Sequence, residues 1–286
     1  MPEGWQWDET LFRGSAAFYA RGRLPYAPGM ADAIAQTLAL DGGGRLLDVG
    51  CGPGIIALRL AQLFAEVVGV DADTDMVAEA ARRAAELGIA NARWLRARAE
   101  DLPVRAGAFR VATFGQSFHW MERDRVAAAI FTLLEPGGAF VQVGERDPQR
   151  APNSADRELP YPQPPSVAIQ QLVQRYLGPV RRAGRGLLRH GTDGGEAEVL
   201  ARAGFDPPEI VFVAGAEYHV RTLDDQVATC LAHSWSAPHL FGERLPAFEA
   251  DLRAVLAEAS PAGLFAIPAA DTELRFWRMP LPATGR

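Results

Sequence analysis

The chain has 286 residues, 48% hydrophobic and 22% charged, with a formal charge of −6. That length suits one large domain or two modest ones and buries enough surface to fold without a disulfide or metal staple, and the acidic balance argues against a general nucleic-acid binder. All 29 Lys/Arg positions are arginine, which excludes lysine Schiff bases, pyridoxal phosphate attachment and the P-loop lysine; the two cysteines, Cys51 and Cys230, leave no disulfide framework or multi-cysteine zinc site.

Residues 1–41 hold the aromatics Trp5, Trp7, Phe12, Phe18, Tyr19 and Tyr26 and two expected short helices. Residues 1–23 lack the basic start and apolar run of a secretory signal, and no segment reaches membrane-spanning length. A cytoplasmic protein with no membrane partner is the expectation. From residue 45 onward, short apolar runs alternate with helical patterns: strands at 46–49, 66–70, 92–95, 109–114 and 139–143, helices at 55–64, 76–87 and 124–134. Alternation at this spacing predicts right-handed βαβ units and a doubly wound, parallel sheet. Residues 147–165 are proline-rich and polar and read as a loop or lid. Beyond them the pattern predicts helices at 166–177, 196–203, 224–233 and 245–259, an edge strand at 209–220 and a last strand at 272–278. The organisation expected is one elaborated domain. Its parts are an N-terminal helical cap segment at 1–41, a nucleotide-type core at 42–146, a lid at 147–195 and a C-terminal completion of the sheet at 196–286.

The turn after the first strand reads Asp48-Val49-Gly50-Cys51-Gly52-Pro53-Gly54. Glycines between a strand and a helix let backbone approach a ligand closely. The dinucleotide fingerprint would put its third glycine at position 55, which is isoleucine here, and the acid Asp48 favours a cationic or hydroxyl-bearing ligand over a phosphate. Asp71 ends the second strand, where a carboxylate can accept both hydroxyls of a ribose.

Residues 46–57 (LLDVGCGPGIIA) with 67–71 (VVGVD) resemble a class I S-adenosylmethionine-dependent methyltransferase, within it the type 11 small-molecule group that includes trans-aconitate-like enzymes. YARGRLPY at 19–26, AEDLP at 99–103, QSFHW at 116–120 and EPGG at 135–138 are similar to further segments of that group, as are 235–239 and 272–277. The resemblance implies a Rossmann-like, mostly parallel seven-stranded sheet with an antiparallel last strand. It implies S-adenosyl-L-methionine as cofactor, S-adenosyl-L-homocysteine as product and a small-molecule substrate. It places Asp48, Gly50, Gly52 and Gly54 around the methionine part, Asp71 at the ribose, and Ala72, Met76, Ala99 and Glu100 around the adenine. Gln116 would lie near the sulfonium, with Tyr19 and Arg23 closing over the carboxylate. Arg98 stands where relatives often carry an acid, and Arg110 where they often carry aspartate.

His119, after the fourth strand, is the candidate general base, because an ordinary imidazole titrates near neutrality; alignment alone could also serve methyl transfer. His233, Trp235 and His239 are candidates for a substrate wall, and Glu145 for a pocket acid. Arg175, Arg181, Arg182, Arg185 and Arg189 could grip an anion or form a solvated face. Cys51 reads as a small filler. No spacing among the histidines makes a metal set, so no metal is expected.

Overall fold

The computed structural model describes residues 10–102, 108–146, 158–179 and 195–281. The N-terminal segment forms α1 (Ala16–Gly22) and α2 (Met30–Thr37). The core follows as β1 (Arg45–Val49), α3 (Ala57–Leu60), β2 (Glu66–Asp71), α4 (Thr74–Glu86), β3 (Ala92–Arg96), β4 (Phe109–Gly115), α5 (Arg123–Leu133) and β5 (Leu134–Glu145). Then come α6 (Ser166–Leu177), α7 (Glu196–Ala203), β6 (Glu209–Val213), β7 (Tyr218–Thr222), α8 (Leu223–Leu231), α9 (Leu245–Ala259), β8 (Leu264–Pro268) and β9 (Thr272–Arg278). Of the expected lid, 147–157 and 180–194 lie outside the described residues, and Arg181, Arg182, Arg185 and Arg189 with them.

Seven strands form one sheet in the order β3-β2-β1-β4-β5-β9-β6. Strands β1 to β5 are mutually parallel, whereas β9 runs antiparallel to both β5 and β6. This is the expected Rossmann-like sheet with an antiparallel last strand. Its middle strands are apolar on both faces, as strands covered on both sides must be: Leu46, Val49, Val67, Val70, Val111, Phe114, Val141 and Val143 are all buried. One face packs on α5 and α7 through Val126, Ile130, Leu200 and Trp277. The other packs on α2 and α3 through Met30, Ile34, Ala57 and Leu60. A third cluster, Leu172, Val173, Leu231, Phe248, Leu252 and Phe265, joins α6, α8 and α9 to β8 in a separate helical cap.

Several boundaries differ from the sequence pattern for identifiable reasons. The helix expected at 55–64 is α3 followed by a 3-10 turn at Ala61–Leu63, because the Asn91 amide donates to the carbonyls of Ala61 and Phe64 and closes the helix early. The EPGG turn lies inside β5: Leu134 pairs with Phe109 and Ala139 with Val111, so Pro136-Gly137-Gly138 is a bulge within the ladder. The strand expected at 209–220 is two strands in two sheets, β7 pairing with β8 rather than with the main sheet. The chain leaves at Gly215, whose N–H donates to Asp271 Oδ1 at 3.1 Å. A Cβ there would stand 2.4 Å from the Ala270 carbonyl oxygen, so only glycine fits.

Candidate active site

The glycine loop is held to the neighbouring strand before any ligand is considered. The N–H groups of Gly50 and Cys51 both donate to the Val70 carbonyl, at 2.8 and 3.0 Å, which brings the loop beside Asp71. The Gly52 N–H then donates to Asp71 Oδ2 at 2.8 Å and the Asp73 N–H to Oδ1 at 2.9 Å. Each carboxylate oxygen keeps a second lone pair for a hydroxyl. Asp73 caps α4 by accepting from the Asp75 and Met76 amides. Gly50, at φ +66°, needs to be glycine, since a Cβ would lie 2.6 Å from Ser117 Cβ. At Gly52 the nearest atom is a Tyr19 ring carbon at 4.0 Å, so the loop there faces open space capped by that ring.

Two adjoining cavities share Tyr19, Gly50, Gly52, Gly115 and Gln116. Asp71, Ala72, Met76, Ala99 and Glu100 line the first, together with Phe12, Ser117, Trp120 and Met121. Asp48, Arg23, Tyr26 and Glu145 line the second. The structure therefore brings together every expected cofactor residue except Gly54. That glycine turns away, and a Cβ on it would stand 2.8 Å from the Trp94 ring. Its φ of +76° serves the turn and the packing on Trp94 rather than the cavity.

Asp48 is buried, with Oδ1 accepting from the Thr113 hydroxyl at 2.8 Å and Oδ2 from the Ala57 N–H at 3.2 Å. Burial pushes its carboxyl up to about 7 against those two bonds. Desolvation likewise raises Asp71, opposed by its backbone N–H donors, and raises the Tyr26 phenol. Gln116 takes φ +53°, left-handed backbone for a residue with a side chain, at the rim shared by both cavities. Strain of that kind costs about 1–3 kcal/mol and gathers at functional sites.

The segment that roofs the site is tied down at several points. Arg59 of α3 donates to the Tyr26 and Ala27 carbonyls, and the Ala27 N–H donates to the buried Thr272 hydroxyl. The Ser15 hydroxyl donates to the Leu231 carbonyl, fixing the start of α1 on α8. Tyr19 on α1 and Arg23, the residue just past its end, then lean over the loop with the Arg23 guanidinium carbon 4.7 Å from the Tyr19 ring centroid.

The remaining candidates separate. His119 lies in a 3-10 turn (Phe118–Trp120) with its ring 4.8 Å from that of Trp120. It is not among the residues lining either cavity, and burial, aided by Arg123, lowers its pKa to about 4. A neutral imidazole of such low basicity is a poor proton acceptor. His239 Nδ1 donates to the Arg13 carbonyl at 3.0 Å, which joins the cap to the N-terminal segment. His233 and Trp235 line a third cavity, in the helical cap. Arg98 pairs with Glu100 at 3.4 Å, while Glu100 also accepts from the Glu122 N–H. The arginine that replaces the usual acid thus fixes the carboxylate two residues on. Arg110 pairs with Asp41 at the surface. Cys51 is buried with its thiol pushed well up by desolvation, the state of an inert filler. Among the described residues no cluster of His, Cys, Asp and Glu could hold a metal ion.

The pattern missed Phe12, Ser117 and Met121. Phe12 reaches the site through edge contacts with Tyr19 and Trp120 at 6.0 and 6.4 Å. Ser117 reaches it by donating to the Val49 carbonyl. Both depend on contacts distant in sequence, and the only local signal was the aromatic density of the N-terminal segment.

The donor set fits S-adenosylmethionine. Arg23 Nε is buried without a hydrogen-bond partner among the described residues, at the end where a carboxylate would sit. Asp71 offers acceptors for two hydroxyls, and Ala72, Met76 and Ala99 make an apolar slot for a flat ring. The comparisons agree. A methyltransferase domain model matches residues 46–138. An S-adenosyl-L-methionine-dependent Diels-Alderase of Talaromyces variabilis is 34% identical over 140 residues, 46% of this chain and 46% of that protein. An uncharacterized methyltransferase, YcgJ, of Bacillus subtilis is 31% identical over 144 residues, 50% of this chain and 56% of that one. The chain spans about half the length of these curated relatives. Among solved structures, the [4+2]-cyclase SpnF superposes at a TM-score of 0.50 with 25% identity, covering 88% of this chain and 81% of that one. Residues 46–138 carry a methyltransferase domain, of a kind for which S-adenosylmethionine is the cofactor.

Proposed function

We propose that the protein transfers the methyl group of S-adenosylmethionine to a small molecule. The observation that carries this reading is the roof over the cofactor cavities. Phe12 and Tyr19 of the N-terminal segment line the first cavity and Tyr19 and Arg23 the second, so that aromatic side chains wall both beside Gln116, which suits a small metabolite. When bound, the cofactor supplies an electrophilic methyl on a sulfonium. The chain's own part is to hold and align. Arg23 would pair with the cofactor carboxylate and Asp71 would accept its ribose hydroxyls. Ala72, Met76 and Ala99 would flank the adenine, with Glu100, fixed by the Glu122 amide, at its edge. Tyr19 and Phe12 exclude water, which strengthens these polar contacts. Gln116 would orient the acceptor at the shared rim. Proximity and alignment supply the rate, and Glu145, at the end of β5 and lining the second cavity, would take a proton where the acceptor releases one. The type 11, trans-aconitate-like assignment extends this reading and is supported by the way residues 19–26 wrap the site.

A second reading keeps the cofactor and drops the methyl transfer. Its support is that a Diels-Alderase and a [4+2]-cyclase stand among the similar proteins; here bound S-adenosylmethionine would shape a pocket for cyclisation. Mass spectrometry of reactions with S-adenosylmethionine and a panel of small acceptors separates the two. S-adenosylhomocysteine formed in step with a methylated product supports methyl transfer. Substrate turnover without S-adenosylhomocysteine sinks it and favours cyclisation.

A further inference from the structure

The third cavity, in the helical cap, differs chemically from the two at the glycine loop. Its volume is about 370 Å³, and its walls include Ile169, Val173 and Leu177 of α6, Cys230 of α8, Trp235 and Ile267. Among the described residues no Asp, Glu or Arg side chain lines it. The size falls in the range of small-molecule sites, which bury an apolar body and fix it with a few polar groups. Polar side chains line it as well, Gln170, Gln174 and His233 among them, and a further one is buried without a partner among the described residues. Gln226 is 3% exposed, lines the cavity, and its Nε2 has no hydrogen-bond partner among the described residues.

A buried amide donor left unpaired keeps its desolvation cost without return, and a fold that retains one commonly has an acceptor for it from elsewhere. The helix that carries Gln226 is rigidly set. Thr222 and Asp225 form a reciprocal capping box at the start of α8, and the Thr229 hydroxyl lies 2.7 Å from the Gly22 carbonyl of α1. His233 Nδ1 donates to the Thr229 carbonyl at 2.6 Å, which fixes that ring at the cavity wall. Ile267, at the cavity wall, pairs across the β7–β8 ladder with His219.

We infer that this cap cavity binds a neutral, largely apolar small molecule bearing a carbonyl-type acceptor, which takes the Gln226 Nε2 hydrogen bond. A lining without charge among the described residues favours a neutral ligand, because a charged one would lose its hydration with no counter-charge from them in return. This ligand chemistry stands independently of the function proposed above.

The test uses the full chain, saturated with S-adenosylhomocysteine, and two probes of one skeleton, fluorenone and fluorene, which differ in a carbonyl. Equilibrium dialysis should show fluorenone bound roughly tenfold or more tighter than fluorene. Gln226→Met, close in size but without the donor, should erase that preference. Ile169→Trp, which fills the cavity, should weaken both probes. S-adenosylhomocysteine affinity, measured by calorimetry, should be the same in both variants as in the parent chain and so reports folding. Equal binding of the two probes, a preference that survives Gln226→Met, or binding of neither probe overturns the inference. Loss of S-adenosylhomocysteine binding by the parent chain would instead strike the cofactor-dependent function and leave the dialysis result to stand alone.

Discussion

Arg23 lies over the face of Tyr19, its guanidinium carbon 4.7 Å from the ring centroid, with Nε buried and unpartnered among the described residues. The ring holds the cation by its face, which costs no hydrogen-bonding group and leaves the N–H donors for a ligand. Replacing Arg23 by Gln keeps much of the stem and removes the charge. Charge-assisted hydrogen bonds are worth about 1.5–3 kcal/mol, so S-adenosylhomocysteine affinity should fall roughly 10- to 100-fold. Calorimetry measures this, and an unchanged affinity would remove Arg23 from the carboxylate.

Asp71 has a double duty, because it organises the loop as well as facing the ligand. In Asp71→Asn the amide nitrogen must face either the Gly52 or the Asp73 N–H, donor against donor. Affinity for S-adenosylhomocysteine should drop by at least about tenfold, on the order of one lost charged hydrogen bond. Adenine alone, which has no ribose, should show a much smaller change; an equal loss for both ligands would mean that the substitution merely collapses the loop.

Gly22 packs where no side chain fits. A Cβ would stand 2.4 Å from the Ala228 carbonyl oxygen and 2.8 Å from the Thr229 nitrogen, both backbone atoms. Gly22→Ala must push α1 off α8, at a cost of about 1–3 kcal/mol. It should also displace Arg23, the next residue, and so weaken cofactor binding. A melting temperature and an affinity both equal to the parent's would show that the α1–α8 contact is slack.

Asp48 and His119 titrate in opposing senses. Burial raises Asp48 to about 7, so the folded chain keeps a proton that an unfolded carboxyl near 3.9 has released. That contribution to stability is complete below the unfolded value and is lost as pH rises through the folded one, with an upper bound of about 4 kcal/mol. Burial lowers His119 to about 4, so its contribution is present above the unfolded value near 6.5 and is lost as pH falls through the folded one. Between about pH 4 and 6.5 the two slopes oppose each other. On acidification across that window, Asp48→Asn should lose melting temperature relative to the parent, and His119→Gln should gain it. Parallel profiles for all three proteins would refute the opposition. His119→Gln should also keep S-adenosylhomocysteine affinity, as befits a residue outside both cavities.

The cofactor half of the site was legible because its signals are local. The glycine loop, Asp48 and Asp71 lie within 46–71, each at the end of a strand that its apolar run reveals, and the βαβ alternation fixes which ends converge. What failed to show depends on contacts far apart in sequence. Gly215 meets Ala270, Gly22 meets Ala228 and Asn91 closes the end of α3; no window of neighbouring residues records any of these. The β7–β8 ladder escaped for the same reason, since Leu264–Pro268 has no strand pattern of its own and gains one by pairing with Tyr218–Thr222. His119 marks the same limit, because proximity to the fourth strand says nothing about which way a 3-10 turn points its ring.

The position of β9 bears on the order in which the molecule can assemble. It lies between β5 and β6, bonded to both, although it is the last strand in the chain. As the polypeptide leaves the ribosome, β1 to β5 can pair as they appear, whereas β6 must wait with both its edges unsatisfied until residues 272–278 arrive. The seam beside Val141 and Val143 stays open through that interval, so a chaperone or a premature partner would find the nascent protein most receptive there.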